Sequence, residues 1–154
     1  MGIRIGDKAP TFTLPGFDTE GRRDFSLEDH RGRPVVIVFY PGDNTPVCTE
    51  QLTSYTEEIH RFSDVGAQVL AISPQSVDSH AAFSCEHGGF AFPLLADEDR
   101  SVGEAYGIIG PLGFYRRSVF VVDDEGIVTY VHRAVAGLTF KPTDELIAAV
   151  TAQS

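Results

Sequence analysis

A cysteine closes the segment Pro41-Gly42-Asp43-Asn44-Thr45-Pro46-Val47-Cys48, which follows directly on the apolar run Val35-Val36-Ile37-Val38-Phe39-Tyr40. That run lies between Pro34 and Pro41 and is β-branched and aromatic throughout, as a strand buried on both faces is. Beyond it, Val47, Leu52, Tyr55, Ile59 and Phe62 recur mostly three and four apart, which predicts a helix from Thr45 to about Asp64. Thr45 can cap this helix and Pro46 suits its first turn. Cys48 then falls in the first turn, just past the carboxyl end of the strand, where α/β proteins place ligands and chemistry. Free backbone N–H groups and the positive end of the helix dipole stabilise a thiolate there, and the chemistry this permits is nucleophilic attack by sulfur. The same cysteine also continues the apolar stripe, four residues before Leu52, and a small buried hydrophobe would satisfy that pattern equally.

The elements around it follow from the same periodicities. The N-terminal part reads as a strand around Phe12-Thr13-Leu14, a turn centred on Gly21 and a short helical turn capped by Ser26. After Gly66, Val69-Leu70-Ala71-Ile72 is a second apolar strand, so strand, helix and strand make a right-handed parallel unit. A weaker helix runs from Ser76 to about His87 and ends at Gly88-Gly89, with Val77, Ala81 and Cys85 as a thin apolar face. Residues 117–122 and 127–131 flank Asp123-Asp124-Glu125-Gly126 as an antiparallel hairpin, and Thr143 to Val150 closes the chain as a helix with Leu146, Ile147 and Val150 on one side. A βαβ unit followed by ββα is an α/β, thioredoxin-like topology. It predicts a central mixed β-sheet flanked by helices, with an N-terminal β extension and an extra middle helix, in one domain over residues 1–154.

Composition narrows the function. With 154 residues, 42% apolar and 22% charged, the chain can bury a core without staples. Its 22 acidic against 12 basic residues give a net charge of −10, which repels phosphate backbones and anionic lipid and so excludes nucleic acid and membrane surfaces as expected partners. The two lysines, Lys8 and Lys141, sit in polar segments, which argues against Schiff-base chemistry. No apolar run approaches the ~20 residues of a membrane span, and MGIRIGDKAP turns polar before a secretory core could develop, so a cytoplasmic protein is expected. Two cysteines, Cys48 and Cys85, are too few for a disulfide scaffold, and a bridge between them would be transient. The glycines form no nucleotide-binding loop. His80, Cys85 and His87 do not share a helix face well enough for a metal site. Asp97, Glu98 and Asp99 suit solvation or helix capping rather than calcium.

The segment FYPGDNTPVCTEQ resembles the active-site loop of peroxiredoxins, whose PxxxTxxC pattern is met by Pro41, Thr45 and Cys48. The NTPxCT form is most similar to the peroxiredoxin Q, or bacterioferritin comigratory protein, type, and the likeness runs from GDKAPTFTLP through GFAFPLLADEDRSVGEAYGI to RRSVFVVDDEG. Gly42 departs from the lysine common at that place in the type. The resemblance implies a thiol peroxidase in which Cys48 attacks the peroxide, Thr45 sets its hydroxyl on thiolate and peroxide, and Pro41 shields the pocket. It further implies that Arg117, three residues before Phe120, fixes the thiolate, and strand alternation sends the neighbouring Arg116 to the opposite side. Gln51 stands where many peroxiredoxins have Glu and is one helical turn from Cys48, within reach of Arg117.

Cys85 lies where one branch of the type carries its resolving cysteine, and the position used by the other branch is Thr53. The implied enzyme therefore closes an intramolecular disulfide, needs no metal or organic cofactor, reduces hydrogen peroxide and organic hydroperoxides, and is recycled by thioredoxin or a similar dithiol. The type also implies a monomer rather than a ring. Two other readings stay open at this stage: a one-cysteine peroxidase resolved by an external thiol, and a non-catalytic redox sensor or binding module on the same fold. A disulfide reductase is disfavoured because Thr45-Pro46-Val47-Cys48 offers TxxC where that chemistry needs CxxC.

Overall fold

The structure, a computed structural model, describes residues 3–43, 46–110, 113–133 and 143–151. Its organising strand is β3 (Val35–Phe39), every residue of which is buried. β3 pairs in parallel with β4 (Gln68–Ser73) and antiparallel with β6 (Ser118–Val122), so both its edges are hydrogen-bonded and a continuous apolar sequence is what its position requires. With β1 (Thr13–Asp18), β2 (Gly21–Ser26), β5 (Leu94–Ala96) and β7 (Val128–Arg133) it forms a seven-stranded mixed sheet in the order β2-β1-β5-β4-β3-β6-β7. This is the expected thioredoxin-like arrangement with its N-terminal β extension.

Alternation along β3 divides the core in two. Val35, Ile37 and Phe39 pack with Leu70, Ile72, Phe120 and Tyr106 on one face of the sheet. Val36 and Val38 pack on the other with Leu52 and Tyr55 of α1 (Pro46–Glu57), Phe62 of α2 (Ile59–Asp64), Phe83 of α3 (Val77–Glu86) and Leu146 and Val150 of α5 (Thr143–Thr151). Cys48 belongs to this second cluster.

Four local expectations are corrected. The helix after β3 is two helices, because Glu58 (φ −108°, ψ 20°) leaves the helical region and α2 restarts after it. The apolar spacing did not register the break because Tyr55 and Phe62 meet edge-on across it, with ring centroids 6.1 Å apart. Ser26 precedes the 3-10 turn Leu27–His30 without capping it, since its hydroxyl pairs instead with that of Thr13 at 2.7 Å, directly opposite in the β1–β2 register. The polar segment Gly21–Ser26, read as a turn and its exit, is the edge strand β2, and two arginines there are the charged edge expected of a strand with one neighbour. On α3 the buried side chains are His80, Phe83 and Ser84, whereas Cys85 is exposed and Val77 and Ala81 are half-buried.

Asp97 does cap a helix, though from a buried position. Its carboxylate accepts hydrogen bonds from the backbone N–H groups of Val102 and Gly103 at 3.1 and 2.9 Å, at the start of α4 (Ser101–Ala105), and from the Tyr115 hydroxyl. Burial and this contact push the Tyr115 phenol far above its usual range, so it stays a donor. Asp97→Ala leaves three buried donors without a partner and is expected to lower stability by about 2–4 kcal/mol, read from denaturant midpoints. An unchanged midpoint would show that water replaces the carboxylate without loss.

Candidate active site

The chain leaves β3 at Phe39, and Tyr40, Pro41, Gly42 and Asp43 lead to the first described residue of α1, Pro46. Cys48 is therefore in the first turn of α1, as its spacing from the strand predicts. Its side chain is fully buried. Thr45 lies outside the described residues, and Pro41 is half-buried beside the loop.

The register of β3 with β6 brings in the arginine. Phe39 lies opposite Ser118, so Arg117, which directly precedes β6, stands at the same end of the sheet as the loop after β3. Arg117 is 3% exposed and donates from Nη2 to Cys48 Sγ at 3.1 Å and from Nη1 to Gln51 Oε1 at 2.5 Å. Arg116, as alternation predicts, is not buried with it. Gln51 in turn donates from Nε2 to the Tyr55 hydroxyl at 3.3 Å, and burial pushes the Tyr55 phenol up to about 12. Cys48, Gln51 and Tyr55 follow one another at three and four residues, so a single face of α1 presents the sulfur and its supports to one guanidinium.

Sulfur and fork together form a site for in-line displacement at an oxygen. A sulfur anion held by a permanent cation keeps its nucleophilic lone pairs, and the same planar fork can stabilise charge developing on a second atom nearby. Cys48 is thus both a member of the buried apolar cluster and the acceptor of a hydrogen bond from a guanidinium.

Cys85 is not part of this constellation. It sits in the last turn of α3, exposed, and both cysteines are free thiols. Nor do His80, Cys85 and His87 converge, since His80 is buried while the other two face solvent. Among the described residues no group of three or more His, Cys, Asp or Glu is placed to hold a metal ion.

One buried cluster escaped the sequence reading. Asp43, in the loop before α1, accepts from the Tyr40 hydroxyl at 2.8 Å and the Ser79 hydroxyl at 2.7 Å, and its Oδ2 lies 2.8 Å from His80 Nδ1. Asp43 and His80 are 37 residues apart, and no local spacing announces such a pair.

The family model for the AhpC/TSA family matches residues 5–131, a span that contains Cys48, Cys85 and Arg117. A Mycobacterium tuberculosis protein provisionally named a peroxiredoxin is 42% identical over 128 residues, 79% of this chain and 79% of that one. A Coxiella burnetii protein provisionally named peroxiredoxin bcp is 36% identical over 138 residues, 85% of this chain and 89% of its own. Among solved structures, Mycobacterium tuberculosis AhpC superimposes with a TM-score of 0.89 over the whole of both chains at 24% identity, a likeness of fold.

Proposed function

Since the chain belongs to the AhpC/TSA family, a membership that supports thiol peroxidase activity, we propose that Cys48 is the sulfur that attacks peroxide and that Cys85 resolves the product. The observation that carries the first half is the 3.1 Å hydrogen bond from Arg117 to the buried Cys48 sulfur. In the first step the Cys48 thiolate bonds to one peroxide oxygen and the O–O bond breaks. Sulfur is oxidised to a sulfenic acid, and the departing hydroxide or alkoxide takes a proton and leaves as water or alcohol. Arg117 faces both the sulfur and the charge that develops during the displacement, while Gln51 holds its other branch in place. By resemblance Thr45 adds a hydroxyl and Pro41 limits water.

A sulfenic acid must then meet a thiol or risk further oxidation. Cys85 is the second thiol of the chain, and its attack on the Cys48 sulfur would form the disulfide and release water. A disulfide needs Cα atoms within about 7 Å, and with Cys48 buried on α1 and Cys85 exposed on α3 the proposed closure includes local unwinding of one or both helices. Exposure of Cys85 suits the third step, exchange with a thioredoxin-like dithiol that is itself oxidised. We place this cycle in a reducing compartment such as the cytoplasm. Among the described residues, Ile5 and Phe114 are the exposed large hydrophobics, which is little for an obligate interface and favours a monomer.

The separation of the cysteines also favours a second reading, in which an external thiol resolves Cys48 directly. The intact mass of reduced protein after one equivalent of hydrogen peroxide decides between them. Loss of two hydrogens with a linked Cys48–Cys85 peptide supports the two-cysteine cycle, and gain of oxygen on Cys48 alone supports the other. Correspondingly, Cys85→Ser is expected to keep a single turnover and lose thioredoxin-supported cycling; normal cycling by that variant removes the resolving role.

A further inference from the structure

Tyr40, Asp43, Ser79 and His80 form a polar cluster that the peroxide chemistry does not use. The Asp43 carboxylate accepts from two hydroxyls, Tyr40 and Ser79, and meets His80 Nδ1 with both oxygens, at 2.8 and 3.1 Å. His80 is fastened on its other side too, because Nε2 lies 2.9 Å from the Leu95 carbonyl oxygen of β5, which can only accept. His80 Nε2 therefore donates to that carbonyl, and Nδ1 faces the carboxylate. Burial and the Asp43 carboxylate hold the Tyr40 phenol well above its usual range, so its hydroxyl remains a donor. His80 is fully buried, and the Asp43 side chain is 1% exposed. Swinging either ring or carboxylate away leaves several buried groups without partners, so the cluster holds or releases as a unit.

Its place in the chain gives this unit a purpose. Asp43 lies five residues before Cys48, in the turn that enters α1. His80 lies five residues before Cys85 on α3, roughly 7.5 Å along the helix axis. Ser76 also fastens the start of α3, its hydroxyl accepting from Ser79 N–H at 3.1 Å. At the far end of α3 the Gly89 N–H donates to the Ser84 carbonyl at 2.7 Å and Gly88 makes a longer bond to that of Cys85, while Phe83 and His87 pack against Phe90 and Cys85 itself faces solvent.

We propose that Asp43 and His80 form a latch between the turn that positions Cys48 and the helix that carries Cys85, closed while Cys48 meets peroxide and opened when the disulfide closes. The proposal rests on the two-cysteine reading above. While the latch holds, Asp43 is fixed against α3 and, through His80, β5, and Cys48 stays under Arg117. Drawing Cys48 out toward Cys85 pulls on the same turn, so opening the latch enters the rate of disulfide closure and not that of peroxide attack. The latch thereby sets how long the sulfenic acid survives, and with it the share of enzyme lost to overoxidation at high peroxide. His80 and Asp43 are positioning residues and touch neither peroxide nor sulfur in this scheme.

Two rates test it, both on the full chain by stopped-flow and quenched mass measurement with hydrogen peroxide: oxidation of Cys48 and closure of the Cys48–Cys85 disulfide. Asp43→Asn keeps the shape and replaces one carboxylate oxygen of the cluster by an amide nitrogen, and Ser79→Ala removes one donor with little risk to folding. Asp43→Asn is expected to raise the ratio of closure to oxidation about tenfold, and Ser79→Ala to raise it less. A role in stability alone would lower both rates with the folded fraction and leave the ratio where it was, which overturns the latch. Parent protein that closes no Cys48–Cys85 disulfide refutes the two-cysteine reading and the latch with it. Parent that closes it, with variants of unchanged ratio, refutes the latch alone.

Discussion

Cys48→Ser is expected to abolish peroxide consumption, with the rate falling by on the order of 10^4 or more to that of free thiols in the mixture. A serine hydroxyl at neutral pH is not an anion, and no base stands beside it among the described contacts, where Arg117 Nη2 meets the sulfur at 3.1 Å. A guanidinium stabilises an anion already present but cannot take up a proton to create one. The substitution changes one buried atom for a smaller one with its own hydrogen-bonding capacity, so the fold is expected to survive, and circular dichroism with thermal unfolding checks this. Single-turnover peroxide loss by folded Cys48→Ser at the parent rate would move the chemistry to another residue.

Arg117→Ala is expected to slow Cys48 oxidation by on the order of 10^2 to 10^3, the loss typical when one preorganised donor is taken from a developing anion. The same change strips Gln51 Oε1 of its 2.5 Å donor in a fully buried position, at a stability cost of about 1–3 kcal/mol. Arg117→Lys separates the two effects. A lysine keeps the charge but not the fork, so it can reach the sulfur or the amide but not both, and an intermediate rate is expected. Arg116→Ala, one residue away and on the less buried side, is the control, expected to leave the oxidation rate within experimental error. The measurement is the second-order rate of sulfenic acid formation under single-turnover conditions, with the unfolding midpoint recorded alongside. Equal rates for the alanine variants at both positions would mean that the 3.1 Å contact holds the sulfur without assisting its reaction.

Much of this was legible in consecutive residues. β3 is written as an unbroken apolar run because it is covered on both faces and paired on both edges. The position of Cys48 in the first turn of a helix after that strand follows from local spacing, whereas the choice of Arg117 over Arg116 comes from the likeness to the peroxiredoxin motif, alternation adding only that the two side chains part. Elements with little local signal were missed. β2 is polar because it is an edge, β5 has only three residues, and the break at Glu58 leaves the apolar stripe in phase.

Periodicity alone leaves Cys48 open between core and chemistry, and the motif likeness is what favours chemistry. Register supplies a contact that neither shows, since pairing Phe39 with Ser118 brings Arg117 to the sulfur from 69 residues away. The Tyr40, Asp43, Ser79 and His80 cluster lay wholly beyond reach of spacing, and His80 looked at most like a stray metal ligand. Apolar periodicity reports which way a side chain faces from its own helix or strand. A buried carboxylate and imidazole are stable only as partners drawn from different elements, and which elements meet is decided when the sheet assembles.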